Sequence, residues 1–600
     1  MRITGLFTGA IILAIILSSA FFLPSFSYAQ AGPYPHVTPE KPKPAPSSPK
    51  ITVMPRKSAA SKKVAVPILK GIVFVSSVKD FKPRGVSRSI LGRNGLYIEK
   101  SLPFLRSTAF IKNMESKLNK PLTFEGISEI ISAVRSLYKS RNRPFVDAVV
   151  PPQDVSSGIL QVVVMEYKVG AIKVSGNRWF SSGFIISQLN IRAGQTLSET
   201  GLASSINWIN ENPFLHAETI LSPGRVPGNM DINILAKDLN PFRIYAGFDN
   251  QGIPSLGINE WGAGFNYGNM FGMGQMLSYE ISQSLSTRYR ANSMSYDIPF
   301  PWKGRIEING SYSTASPVTD PDFRELGRNS QVSLYYKQEL PYFINNGLTI
   351  KQTLGLGYDF KTTNNNLAFG GAQVFQATAQ VDQFPVFYSM SEQDPFGVTN
   401  LNNRFVLSPG GFNPDNSDAS FSSIYAGTRS KYEYDELNLS RLERLPSGFG
   451  FYSSANFQIA SGNLLYTEQL AAGGLYTVPG YLTDTATGSR GIIIKEELNL
   501  PSLNIAPVLF YGTKVPYRNN SLPVTLSLFF TYADLSSVNN VSSSTGLPDT
   551  SVLESIGPEL KMDVNGYLSL DFALGWRLRH LPLGSYGKGL FEDVVISLSV

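Results

Sequence analysis

The residue types that most often carry chemistry are scarce in this chain of 600 residues. It has no cysteine, which excludes a thiolate nucleophile, a thiolate metal site and a disulfide framework. Three histidines, His36, His216 and His580, are too few for a histidine-based metal cluster and read as ordinary surface or strand residues. The carboxylates Glu496 and Glu497 are adjacent, so on a strand they face opposite sides and cannot act as an acid/base pair. No nucleophile triad, phosphate-binding loop or metal spacing appears. The expectation is a protein without catalytic residues, cofactor or metal, whose work is done by its surfaces and its elements.

Composition and charge narrow those elements. Aromatic residues make up 12% and charged residues 16% of the chain, with 52 glycines, which fits neither a disordered chain nor a helical membrane protein. Arg2 precedes the apolar run Ile11 to Leu23, and Ser27-Tyr28-Ala29 supplies small residues for signal-peptide cleavage, so residues 1–29 read as an export signal. The alternative for this run is an uncleaved membrane anchor. Residues 1–64 hold eight Lys/Arg against Glu40 alone, and the other 536 residues balance at 44 basic and 44 acidic. The basicity therefore belongs to the signal and a tail, and no nucleic-acid partner is expected.

Residues 30–63 are rich in Pro, Lys, Ser and Ala and read as a solvated spacer; a peptidoglycan or membrane-surface contact through the lysines is the alternative. Two units of related layout follow, at 64–167 and 168–240. In the first, Ile68 to Val75 is a strand and Thr123 caps a helix carrying Ile127, Ile130, Ile131, Val134, Leu137 and Tyr138. Strands Phe145 to Val150 and Ile159 to Glu166 flank the turn Pro151-Pro152-Gln153. In the second, a strand at Ala171 to Val174 and two helices precede strands His216 to Leu221 and Met230 to Ala236. Both are small α+β domains.

Residues 241–600 change character. Segments of about ten residues alternate apolar and polar side chains, the signature of transmembrane β-strands. The clearest is Leu568 to His580, with Leu570, Phe572, Leu574 and Trp576 on one face and Asp571, Arg577 and Arg579 on the other. Lipid outside and a polar lumen inside account for the pattern, and the barrel must close, because an open edge in hydrocarbon leaves backbone groups unpaired. Thr362 to Gly371, Ser391 to Ser423 and Ser536 to Asp549 are polar inserts expected to be extracellular loops.

The stretch SEIISAVRSLYKSRNRPFVDAVVPPQDVSSGILQVVVMEYKVGAIKVSGN (128–177), PGRVPGNMDINI (223–234), GFDNQG (247–252) and GGLYTVPGYLTDTATGSRGIIIKEELNLP (473–501) occur in an order that resembles the outer-membrane transporters of two-partner secretion, the haemolysin secretion/activation type. The resemblance implies a transmembrane antiparallel β-barrel of about 16 strands preceded by two periplasmic POTRA domains. It also implies a secreted partner polypeptide, captured unfolded in the periplasm, and residence in the outer membrane of a Gram-negative bacterium. Capture is expected at strand edges around Gln161 to Glu166 and Asp231 to Ala236, where unpaired backbone groups meet an extended peptide; pairing between neighbouring domains is the bland alternative.

The same resemblance assigns the site. Val478, Gly480 and Tyr481 match a V-R-G-Y motif of a loop folded into the barrel, with Pro479 in place of the arginine. Gly488, Arg490 and Gly491 continue the loop, and Lys495 and Glu497 lie on the strand after it. The family's arginine meets the aspartate of an F-x-D-x-G wall motif, for which Tyr532 and Asp534 are the best match. Proline offers no charge and no N–H, so Asp534 is expected to lose its partner unless Arg490 or Lys495 substitutes. Val524, Leu526, Leu528 and Phe530 share parity with Asp534, which requires a β-bulge near Phe529-Phe530 or an apolar set facing a loop packed in the lumen. Two other functions stay open: a membrane-protein assembly factor of the same architecture, and a passive porin.

Overall fold

A computed structural model of the protein describes residues 39–41, 51–53, 63–226, 228–318, 323–345, 347–369, 372–505, 522–539, 550–564, 568–579 and 590–599. The expected signal at 1–29, and His36 and His580, lie outside them. The chain forms two compact units, one spanning Pro44 to Leu239 and one spanning Asn240 to Val600 together with the residues up to Lys43.

The first unit contains β1 (Ile51–Val53), β2 (Val64–Val66), β3 (Gly71–Val75), β4 (Leu96–Ile98), β5 (Leu122–Thr123), β6 (Val146–Val149), β7 (Ile159–Glu166), β8 (Lys168–Ser175), β9 (Leu215–Pro223) and β10 (Asn229–Asp238). One sheet has the order β4-β3-β7-β6, and the helix Phe124–Ser140 packs on it through Ile130, Val134 and Tyr138 against Ile72, Phe74, Leu160 and Val162. The 3.6-residue spacing puts those helix residues on one stripe, and Thr123 Oγ1 accepts from Gly126 N at 3.1 Å to start the helix. The long insertion before it folds into β4 and a short helix, Thr108–Glu115.

The second sheet has the order β1-β9-β10-β8, with helices Ser182–Leu189 and Glu199–Asn210 capped by Ser181 and Ser198. The Asp238 carboxylate accepts the backbone N–H groups of Arg178, Trp179 and Phe180 at 2.6–2.9 Å, which fixes the turn after β8.

Both expected capture edges are corrected by these orders. β7 lies between β3 and β6, and β10 between β9 and β8, so Gln161 to Glu166 and Asp231 to Ala236 are interior strands. The cause is the crossover: β3 and β8 return parallel to β7 and β10 and cover the side that chain order left open. The outer strands are β4, β6 and β8, while β9 carries β1 in parallel register, Ile51↔Thr219 to Val53↔Leu221. Part of the expected spacer is thus a strand.

The second unit is a closed barrel. Its strands are β11 (Phe242–Asp249), β12 (Glu260–Met270), β13 (Gln275–Ser284), β14 (Tyr289–Pro299), β15 (Gly304–Ala315), β16 (Phe323–Glu339), β17 (Phe343–Asn345), β18 (Leu348–Phe369), β19 (Ala372–Gln393), β20 (Gly397–Ser408), β21 (Tyr432–Arg444) and β22 (Gly450–Ala460). The hairpin β23 (Leu470–Ala472) and β24 (Ala486–Gly488) comes next, then β25 (Arg490–Asn499), β26 (Leu503–Asn504), β27 (Pro523–Ser536), β28 (Thr550–Val564), β29 (Leu568–Arg577) and β30 (Leu590–Ser599). Without the short β17 and β26, the described residues supply 16 antiparallel wall strands, closed by β11 on β30 from Tyr245↔Ser599 to Asp249↔Val595.

Alternation sorts the wall as expected. Leu526, Leu528, Phe530, Ile556, Trp576 and Leu598 are exposed on the outer face, whereas Ser527, Thr531, Ser555, Glu559, Arg577 and Asp593 are buried on the lumen side. Two expected loops are corrected. Thr362 to Phe369 continues β18, and Ser391 to Ser423 contains the end of β19, a tight turn at Asp394–Phe396 and β20. Polar residues on both faces do not end a strand once it leaves the bilayer. Most of Ser536 to Asp549 lies outside the described residues.

Pro39–Lys41 sit inside this unit. Glu40 N donates to Glu280 at 2.8 Å, Arg243 pairs with the Glu40 carboxylate at 2.7 Å and Lys41 with Asp297 at 2.8 Å, all on lumen-facing positions of β11, β13 and β14. These two residues therefore have partners on the barrel wall while keeping part of their surface in solvent, a second departure from the spacer reading.

Candidate functional site

Between β22 and β25 the chain does not stay outside. β23 and β24 pair from Leu470↔Gly488 to Ala472↔Ala486 and carry a tip, Gly473 to Thr485, against the inner wall. Val478 and Tyr481 pack on Ile493, Ala533, Leu535 and Leu553, and Leu475 packs on Phe529 and Ala573. Each of the three tip side chains is at most 1% exposed, so the loop is docked by burial of apolar surface at about 1.5–3 kcal/mol per side chain.

The polar contacts are made mostly by the loop's backbone. Gly480 N donates to Asp593 Oδ2 at 2.7 Å, Leu475 N donates to Gln251 Oε1 at 2.6 Å, and Gln251 Nε2 donates to Asp593 Oδ1 at 3.1 Å. Arg577 Nε donates to the Gly480 carbonyl, and its guanidinium lies 5.5 Å from the Tyr481 ring centroid and 5.4 Å from that of Phe591. The Tyr481 hydroxyl donates toward the carbonyls of Arg579 at 2.9 Å and Glu554 at 3.2 Å. Gly480 has φ +96°, and a Cβ there would lie 2.6 Å from Gly575 O; a Cβ on Gly575 would collide with Pro479 O and Gly480 Cα. Two glycines face to face let loop and wall touch backbone to backbone.

This geometry corrects the expected wall partner. β27 pairs without interruption, Ser536↔Thr550 to Val524↔Met562, so no bulge repairs its phase. Asp534 shares the outward side of Leu528, Phe530 and Tyr532, with the Tyr532 hydroxyl 3.5 Å from its carboxylate, and the loop meets Ala533 and Leu535 instead. The ionic partners come from β29 and β30, as Arg577 and Asp593. Pro479 contributes its carbonyl side to the contact with Gly575, a role that requires no N–H. Arg577 was visible as the arginine on the polar face of the clearest alternating strand; Asp593 carried no such signal.

Arg490 is exposed and donates to Ser536 Oγ at 3.0 Å, away from the tip. Gly488 and Gly491 lie where a Cβ would press on Ser536 N at 2.6 Å and Leu535 Cδ2 at 2.5 Å, which holds the hairpin close to β27. Lys495 and Glu497 are buried in the lumen in a ring of alternating charge: Lys495–Glu559 2.8 Å, Glu559–Lys561 3.2 Å, Lys561–Glu497 2.8 Å and Glu497–Lys495 3.4 Å. Glu496 faces the other side and bonds Ser453, as strand parity requires. The ring ties β25 to β28 across β27.

Pro151-Pro152-Gln153 belongs to the other unit and is structural. Gln153 Oε1 accepts from Gln161 N at 2.8 Å and Gln153 Nε2 donates to Gln161 O at 2.8 Å, so a side-chain amide pairs with β7 as a strand would. Replacing Gln153 with alanine should speed amide exchange at Gln161 by about tenfold to hundredfold, the equivalent of losing about 1–3 kcal/mol. Among the described residues no group of acidic or histidine side chains could hold a metal ion.

Comparisons agree with this architecture. Residues 228–514 match the family model "Haemolysin secretion/activation protein ShlB/FhaC/HecB", and residues 104–166 match "POTRA domain, ShlB-type". The chain is 23% identical over 444 residues to the heme/hemopexin transporter protein HuxB of Haemophilus influenzae, covering 68% of this chain and 73% of that protein. It is 22% identical over 398 residues to the outer membrane transporter CdiB of Dickeya dadantii, covering 65% and 69%. Among solved structures, CdiB from Escherichia coli superposes with a TM-score of 0.69 at 18% identity, covering 91% of this chain and 93% of that one. CdiB from Acinetobacter baumannii gives 0.60 at 15% identity, covering 93% and 95%.

Proposed function

We infer that this chain, which belongs to the ShlB/FhaC/HecB haemolysin secretion/activation family, is an outer-membrane transporter that exports a partner polypeptide through its barrel. Its POTRA domains lie in the periplasm and the barrel in the outer membrane. The observation that carries the mechanism is the docked tip: a folded-in loop, held mainly through its backbone and three buried side chains, lies against the inner wall of the lumen that a client must cross. Residues 473–491 act as the gate, and the client meets the POTRA domains unfolded, before folding outside the cell.

Relocating the capture edge sharpens the first step. β9 offers its edge only when β1 leaves, and β1 makes just three register pairs, from Ile51 to Val53. An extended client has the same backbone chemistry and more residues. Deleting Ile51–Val53 should tighten binding of a labelled extended peptide from the partner by about tenfold, or 1.4 kcal/mol, by calorimetry; unchanged affinity would place capture elsewhere. The overall reading is tested by expressing the chain with a large secreted protein encoded beside it. Surface appearance of that protein only when the chain is present is the expected result. The porin reading predicts a steadily open conductance in planar bilayers, indifferent to deletion of 473–491.

A further inference from the structure

The tip is only half of the loop. On the way into the barrel, before β23, Glu468 enters a site built from the wall strands β18 to β21. Its carboxylate, 3% exposed, accepts from Lys361 Nζ at 2.6 Å, Gln383 Nε2 at 3.0 Å and the Tyr434 hydroxyl at 2.9 Å. Gln383 Nε2 also donates to Asp359, which pairs with Arg404 at 2.8 Å, so two cations and two carboxylates close a neutral cluster. Lys361 and Arg404 are both lumen-facing and nearly buried, and the loop supplies one of the two negative charges that keep them there. Around it, Leu464 and Leu465 fill a pocket with Val381, Val406 and Phe421.

We propose that Glu468 is a latch: a positioning residue that pins the root of the gate to β18–β21, independently of the clamp on the tip at β29 and β30, and whose release frees the gate to swing. The inference rests on reading the loop as the gate. Its logic is electrostatic. Withdrawal of the loop strips Lys361 of the carboxylate nearest it, so leaving is opposed until water or a passing acidic segment of the client satisfies the lysine. A carboxylate buried with three donors is specific to one position, and removing it alone leaves the Lys361 ammonium buried without it.

The test is single-channel recording of the full-length protein in planar bilayers, with heat-modifiable gel mobility to show that each barrel is folded. Glu468→Ala should raise the frequency of open events at least about tenfold, and so should deletion of 475–483. The double variant Lys361→Met, Glu468→Leu, which removes both charges and fills the site, should return the barrel toward its parental quiet state; a generally damaged loop would stay leaky. A quiet Glu468→Ala beside a leaky deletion overturns the latch and leaves the gate standing. If the deletion is quiet as well, the gate reading fails and the latch falls with it.

Discussion

Arg577→Ala is expected to undock the tip and reduce surface delivery of the partner by about a hundredfold, with a matching rise in open-pore conductance. The guanidinium donates to the Gly480 carbonyl and lies over Tyr481. A charge-assisted hydrogen bond contributes about 1.5–3 kcal/mol and a cation–π contact about 0.5–2, and a loss near 3 kcal/mol shifts a two-state gate by roughly two orders of magnitude. Arg577→Lys keeps the charge but not the planar face, so it should fall between the two. Asp534→Asn is the control: its carboxylate faces outward, and secretion at the parental level is expected. The opposite ranking, with Asp534 essential and Arg577 dispensable, would show that the tip docks in another way during transport.

The second large effect concerns the barrel itself. Glu497→Leu removes one of the two carboxylates that Lys495 and Lys561 share, and breaking a buried ion pair from one side costs about 3–5 kcal/mol. The folded fraction read by gel mobility, and the temperature at which the barrel opens, should both drop. Adding Lys561→Met restores neutrality, and most of the loss should be recovered. Failure of the second change to rescue would mean that Glu497 acts through something other than charge balance.

Alternation made the wall legible, because a lumen and a lipid face impose opposite chemistry on neighbouring residues along every strand. Parity even exposed the problem at Asp534, since Leu526, Leu528 and Phe530 put it on the wrong side. What sequence could not give is which strands become neighbours. Arg577 on β29 and Asp593 on β30 are out of register, Asp593 standing opposite Ala573, yet both reach Gly480, far away in the chain. The missing arginine of the loop suggests a lost contact only if the pair must form between side chains; here the wall supplies both charges and the loop answers mainly with N–H and C=O. The same blindness affected the POTRA edges, where parallel pairing with an earlier strand turned presumed borders into interiors. Glu468 is illegible for a simpler reason: one acidic residue in a polar loop has no pattern around it.

The length of β19 has a consequence for life at the cell surface. Among the described residues, Phe384 to Gln393 are the part of β19 that pairs with β20, and Ala372 to Gln383 rise beyond that neighbour with no described strand on that side. Such a border invites any extended chain, including a sister molecule or a β-rich product just delivered nearby. The stretch 409–431 lies along it: Gln380 N donates to Asp415 O at 3.0 Å, Asn416 Nδ2 donates to Gln380 O at 2.8 Å, and Phe421 packs on Ala379 and Val381. The long turn between β20 and β21 is thus a guard rail, keeping a secretion port from being glued to its own cargo.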